Sequence, residues 1–260
     1  VDKFFQNYYK STRYRIILTK ESILMKKQIL TIIVSMMFAL ASSIANAGSF
    51  NVGVTGAIAD VSASGTETTN AGDSGTANTN SSSVSNDNVP IASIFAEYQS
   101  DFYGLTLGLE HIPGAADVSN SVKTRSEVEA SVTDDTTTNT GTRDFKANAE
   151  VENFNLVYVE MPIYNQLFIG AGLSEMDVNT TEVASSNGGS YGNTTLDGTM
   201  YRLGIKGAIG DNAGYKLFYE VNDFDTLKLT STGNSVADET NSISADLDVD
   251  MLKFALSYNF

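Results

Sequence analysis

The sequence predicts an all-β protein, an eight-stranded antiparallel transmembrane up-and-down β-barrel. Three observations predict it. Apolar and polar residues alternate in short runs through residues 48–260, the connections between runs alternate long and short, and no apolar run in that region approaches the length of a spanning helix. Strict alternation gives a strand one greasy face and one polar face. In lipid, only helices and closed barrels satisfy every backbone group.

The elements follow in chain order. Residues 25–47 read as a signal peptide, with a basic start at Met25-Lys26-Lys27, an apolar stretch Gln28 to Leu40, and a small-residue exit Ala45-Asn46-Ala47. That pattern predicts cleavage before Gly48, and the apolar run falls short of the ~20 residues a spanning anchor needs. Residues 1–24 are basic and aromatic and precede a complete leader. The expectation is an upstream over-extension, with translation starting at Met25 and residues 48–260 forming the barrel. The whole chain holds 16 Lys+Arg and 31 Asp+Glu, a formal net charge of −15. Residues 1–47 carry 7 basic and 2 acidic residues, leaving 9 and 29 in residues 48–260 and a net charge of −20 there. Nucleic acid is excluded as a partner for such a surface, because phosphate binding needs clustered Lys and Arg. The chain has no Cys, so no disulfide framework supports an exported domain.

The strands are expected at about Phe50–Ala63, Pro90–Gln99, Leu105–Ala116, Glu150–Pro162, Leu167–Asp177, Leu196–Ile209, Tyr215–Thr230 and a last strand ending at Phe260. In the first, Phe50, Val52, Val54, Gly56 and Ile58 share one face. Tight turns are expected at Ser100–Gly104, Ile163–Gln166 and Gly210–Gly214. Long polar connections are expected at Ser64–Asn88, from strand three to about Ala149, at Asn179–Thr194 and around Ser231–Asn241. Ser64–Asn88 has almost no large apolar residues and reads as a mobile loop. Tyr98, Phe102, Tyr103, Tyr164, Phe168, Tyr215, Tyr258 and Phe260 gather near the short-turn end, where an interfacial aromatic girdle is expected.

In the last strand Leu252, Phe254, Leu256 and Tyr258 alternate with Lys253, Ala255, Ser257 and Asn259, and the strand ends on Phe260. With the leader and the eight strands, this resembles the small outer-membrane β-barrels of the OmpA/OmpX and opacity-protein superfamily. The resemblance implies a Gram-negative outer-membrane location and contact with outer-membrane lipids and lipopolysaccharide. It further implies that Phe260 is part of the signal read by the barrel-insertion machinery. The role implied is structural, adhesive or weakly pore-forming, with no cofactor; a ligand of the extracellular loops is not named by composition.

An eight-stranded barrel is filled by its own side chains, so the inward residues decide what it can do. Taking the greasier parity as lipid-facing puts Glu110, Glu220, Arg202, Lys206, Lys216 and Lys253 inside. Glu97 and Glu160 join them on the ground that a charge at membrane depth turns away from lipid, where it costs up to about 2–4 kcal/mol. On their strands Ile91, Phe95, Phe154, Leu156 and Tyr158 share that parity, and the greasier-face rule alone would turn Glu160 outward. Four acids and four bases form either an ion-pair lattice or the lining of a narrow porin for small ions or solutes.

Two other constellations bear on function. Asp223, Asp225, Asp246, Asp248 and Asp250 share outward parities on the last two strands. A hairpin centred between Val236 and Ala237 would oppose Asp223 to Asp250 and Asp225 to Asp248, a candidate divalent-cation rim or a solvated anionic one. The single His, His111, shares the parity of Leu105, Leu107 and Leu109 and is expected to face lipid. A catalytic His needs a nucleophile and an orienting acid, and the Gly-x-Ser-x-Gly match at Gly188–Gly192 lacks the following helix that motif requires. A lipid-modifying enzyme is therefore the weakest of the three readings, and no catalytic residue is assigned.

Overall fold

The computed structural model describes residues 48–69, 78–119, 123–133, 136–183, 191–231 and 241–260. The expected leader at 25–47, the segment 1–24 and most of the Gly-x-Ser-x-Gly match lie outside the described residues. The strands are β1 (Gly48–Thr69), β2 (Asn78–Ser100), β3 (Thr106–Asp117), β4 (Lys123–Thr133), β5 (Thr136–Tyr164), β6 (Leu167–Val183), β7 (Thr194–Ile209), β8 (Ala213–Phe224), β9 (Leu227–Thr230) and β10 (Asn241–Asn259). Hydrogen-bonded neighbours run β1-β2-β3-β5-β6-β7-β8-β10, and β10 pairs back onto β1, closing a ring of eight strands. The other two strands extend the ring upward. β4 pairs with β5 beyond the end of β3, and β9 pairs with β10 beyond the end of β8.

Closure is tight at the terminal strands, where β1 and β10 pair without a register shift from Asn51↔Asn259 to Thr69↔Asn241. The Phe260 amide donates to the Phe50 carbonyl at 2.9 Å, and the two rings lie 6.2 Å apart. Both terminal strands therefore finish at the end that carries the short turns. Those turns use left-handed residues to reverse direction: Tyr103 and Gly104, Asn165, and Gly210 all have positive φ.

The exterior explains the alternation. Val54, Ile58, Ile94, Leu203, Ile205, Leu217, Leu252 and Phe254 are exposed although apolar, and they form a band around the ring. Phe50, Phe102, Tyr103, Tyr164, Tyr258 and Phe260 are exposed below it at the short-turn end. Phe168 is not one of them: it is fully buried inside the barrel. The strands also run much further than expected. Ser64–Thr69 and Asn78–Asn88, read from the sequence as loop, belong to β1 and β2, and β5 begins at Thr136. Low hydrophobicity gives no lipid-facing signal there, but Ser and Thr fit a pleated surface and a paired neighbour lets the ladder propagate past the membrane.

Candidate functional site: the charge lattice of the lumen

Inside the ring the side chains sort into three layers. At the long-loop end, Val61, Leu156, Met176, Val178, Met200 and Met251 form the centre of an apolar plug, each no more than 1% exposed. Below it lie the charges. Nearest the short turns, Phe95, Phe168 and Phe218 pack together with Ala255, the rings of Phe168 and Phe218 6.0 Å apart.

All eight sequence-selected lumen residues lie in one connected lattice. Arg202 on β7 is its centre: its guanidinium reaches Glu220 at 2.6 Å, Glu160 at 3.0 Å and Glu110 at 3.2 Å. Lys253 bridges Glu110 at 2.9 Å and Glu220 at 2.8 Å. Arg202 and Lys253 with Glu110 and Glu220 thus make one neutral tier. Lys216 bonds Glu97, and reaches Glu160 at 2.7 Å, while Lys206 lies 3.8 Å from Glu160. These four make a second neutral tier, tied to the first through Arg202 and Glu160. Lys206 and Lys216 sit directly opposite each other on β7 and β8. Like charges so placed repel, and Glu160 between them offsets that repulsion.

The neutral groups of the lattice complete its valences. Ser93 donates to Glu110 at 2.6 Å, the Tyr158 hydroxyl donates to Glu97 at 2.7 Å, and Asn222 donates to Glu220 at 3.1 Å. The Arg202 guanidinium lies 3.8 Å from the centroid of the Tyr158 ring and 4.9 Å from that of Phe218. Those aromatics explain why the greasier-face rule fails on β2 and β5. Phe95, Phe154, Leu156 and Tyr158 point inward with Glu97 and Glu160; in a narrow barrel, apolar side chains are needed to fill the lumen and cover the stems of the Lys and Arg. Room comes from glycine: a Cβ on Gly108 would run into the Tyr158 ring, and one on Gly170 would lie 2.7 Å from Arg202 Cγ. Ser93, Tyr158 and Asn222 were not singled out from the sequence, because a polar residue on an inward parity is common and only the register shows its partner.

The acidic rim differs from its expected register. Asp248 faces Asp223, not Asp225, while Asp250 faces Val221 on one side and Asp60 of β1 on the other. The assumed hairpin centre was off by one position, which moves every pair by two residues. Asp225 lies in the break between β8 and β9, where its amide donates to the Asp197 carbonyl at 2.8 Å, and Asp246 accepts from Thr226 at 2.7 Å. Among the described residues no group of three or more His, Asp or Glu is arranged to hold a metal ion, so the five aspartates do not converge. Burial, followed by the charges of Asp223, Asp250 and Asp246, holds the Asp248 carboxyl above the ordinary aspartate range. On the opposite wall Thr195 and Asn153 hydrogen-bond Asp177 and hold it below that range. His111 lies on the outer face, between inward Glu110 and Ile112, with Nδ1 2.8 Å from Asn155 Oδ1.

No family model matches this sequence, and no curated protein matches it. Among solved structures, the chain is similar to the outer membrane protein AlkL in lipid bilayers, with 13% identity, a TM-score of 0.44, and coverage of 83% of this chain and 91% of that one. It is similar to the outer membrane protein OprG from Pseudomonas aeruginosa, with 12% identity, a TM-score of 0.41, and coverage of 82% and 96%. It is also similar to Ail, the attachment invasion locus protein of Yersinia pestis, with 10% identity, a TM-score of 0.36, and coverage of 82% and 99%. The chain's own architecture is what decides: a ring of eight antiparallel strands closed without an edge, an apolar exterior band, aromatic residues below it and a side-chain-filled lumen make this a small outer-membrane β-barrel protein.

Proposed function

We propose that this protein serves the outer membrane passively, as a structural or surface-interaction barrel whose lumen is closed. The observation that carries this reading is the stack of two seals. Leu156, Met176, Met200 and Met251 are at most 1% exposed at the long-loop end, and the eight charges beneath them are paired with one another. An ion on this path would have to displace the plug and then compete with 2.6–3.0 Å ion pairs. The long-loop end, bearing Ser- and Thr-rich strands that continue past the apolar band, is the surface offered to lipopolysaccharide and to other cells.

The competing reading is a narrow porin. Single-channel recording in planar bilayers separates the two. The wild-type barrel, shown to be folded and inserted, is expected to stay silent, as are Lys253→Gln and Glu220→Gln. Steady wild-type openings whose ion selectivity changes with those substitutions would overturn the closed-lumen reading.

A further inference from the structure

The wall of the barrel is not uniformly laced. Among the described residues, the ladder between β2 and β3 runs only from Gln99↔Thr106 to Ile94↔His111. Continuing that register would set Ala92 against Pro113 and Pro90 against Ala115. Neither proline has an N–H to donate, so each strand brings a gap to the same stretch of the seam. β3 bulges there, with its register on β5 shifting between Ile112 and Ala115 and Gly114 at φ 99°. A Cβ placed on Gly114 would meet nothing within 4 Å. On β2, Asn88 is left-handed at φ 61°, and Val84 and Val89, of opposite parity on either side of it, both pack against the plug. One bond spans the upper end of the gap, from the Asn86 side-chain amide to the Asp117 carbonyl at 2.7 Å.

Behind this seam lies the apolar plug, and it holds two unsatisfied polar atoms. Asn222, fully buried, uses its amide nitrogen on Glu220 at 3.1 Å and on the Val249 carbonyl at 3.4 Å, and its Oδ1 has no hydrogen-bond partner. The Ser174 hydroxyl, in a residue 3% exposed, has none either. Asn222 sits level with Met200 and Val249, and Ser174 level with Leu156, at the floor of the plug. A buried acceptor without a partner costs about 1–3 kcal/mol. A ligand that brings a donor recovers that energy. The side chains at the same level include Met176, Met200 and Met251, unbranched and soft enough to yield space. The neutral lattice below closes the chamber and offers no unpaired charge to a charged headgroup.

We infer that the apolar upper lumen is a closed-ended binding site for a small apolar molecule carrying one uncharged hydrogen-bond donor, entered through the gap between β2 and β3. The site does not depend on whether the barrel conducts. Entry is set just above the apolar band, since Ile94 is 58% exposed below the gap, and the outward His111–Asn155 pair marks its lower edge.

The test uses protein purified from outer membranes, placed in lipid nanodiscs with 13C-labelled methionine methyl groups and titrated with 1-octanol. Saturable shifts at Met176, Met200 and Met251 are expected, while Met161, 47% exposed on the outer wall, reports simple partition into lipid. Octane is expected to bind about tenfold more weakly, the worth of one hydrogen bond to a buried acceptor, and octanoate not at all. Asn222→Leu is expected to remove the octanol preference. An Asn86→Cys/Asp117→Cys disulfide is expected to slow exchange until it is reduced. Chamber methyls that shift only in proportion to Met161, or not at all, overturn the site. Equal affinity for octane and octanol in the wild-type protein overturns the donor requirement, and that comparison needs no variant to fold. Unchanged exchange in the oxidised pair overturns the entry route.

Discussion

Replacing Arg202 by Met tests the lattice at its centre. The guanidinium contacts three carboxylates within 3.2 Å, all essentially inaccessible to solvent. After Arg202→Met the lattice holds four acids and three bases, so one negative charge is buried without a partner. Removing one partner from a buried ion pair costs about 3–5 kcal/mol, much of it the desolvation of the charge left behind. The double substitution Arg202→Met/Glu220→Leu restores neutrality with three acids and three bases, and Lys253 keeps Glu110 at 2.9 Å. Replacing a buried pair with apolar side chains is often near neutral, so the double variant is expected to recover about 2 kcal/mol or more of the single variant's loss. Urea unfolding in phospholipid vesicles, followed by circular dichroism because the chain has no Trp, measures all three proteins. A loss below about 1 kcal/mol for Arg202→Met, or a double variant as unstable as the sum of the singles, would refute the argument that charge balance holds the lumen together.

Other outcomes follow from the same geometry. Gly108→Ala places a methyl group in the Tyr158 ring; a loss of about 1–3 kcal/mol is expected from overpacking, measured by the same unfolding, and a neutral result would mean that the ring has room to move. Asp248 and Asp177 should respond to pH with opposite signs. Because the folded Asp248 carboxyl is raised, its contribution is lost as pH rises through the folded value, so Asp248→Asn should raise the thermal midpoint at neutral pH and do nothing near pH ~3. Because Asp177 is lowered, its contribution is present above the unfolded value and lost as pH falls, so Asp177→Asn should lower the midpoint at neutral pH and lose its effect in acid. Deleting Phe260 removes its amide bond to Phe50 and its ring contact with Tyr258 at 5.1 Å, and is expected to reduce the amount of heat-modifiable barrel recovered from outer membranes.

What was legible in the sequence, and what was not, divides along one physical line. Lipid imposes a one-sided constraint on every residue it touches, so Leu252, Phe254 and Leu256 declare both a strand and its outward face without reference to any neighbour. The inward charges were legible for the same reason: a Glu at membrane depth has nowhere else to go, even on β5, where Phe154, Leu156 and Tyr158 suggest the opposite face. Once the strands leave the band, that constraint ends. Ser64–Thr69 and Asn78–Asn88 therefore read as loop although they pair, and the Asp223–Asp248 register could not be set from composition, since both candidate pairings place carboxylates outward. The seam between β2 and β3 shows the same limit at shorter range. Pro90 and Pro113 are visible in the sequence as two strand defects 23 positions apart. Only the ladder, which stops at Ile94↔His111, shows that they fall on the same stretch of wall, in front of an apolar interior whose buried Asn222 acceptor has no partner. Such a coincidence of defects weakens a barrel that is otherwise laced edge to edge, and opening at that point exposes the apolar interior while leaving the ion-pair lattice beneath it intact.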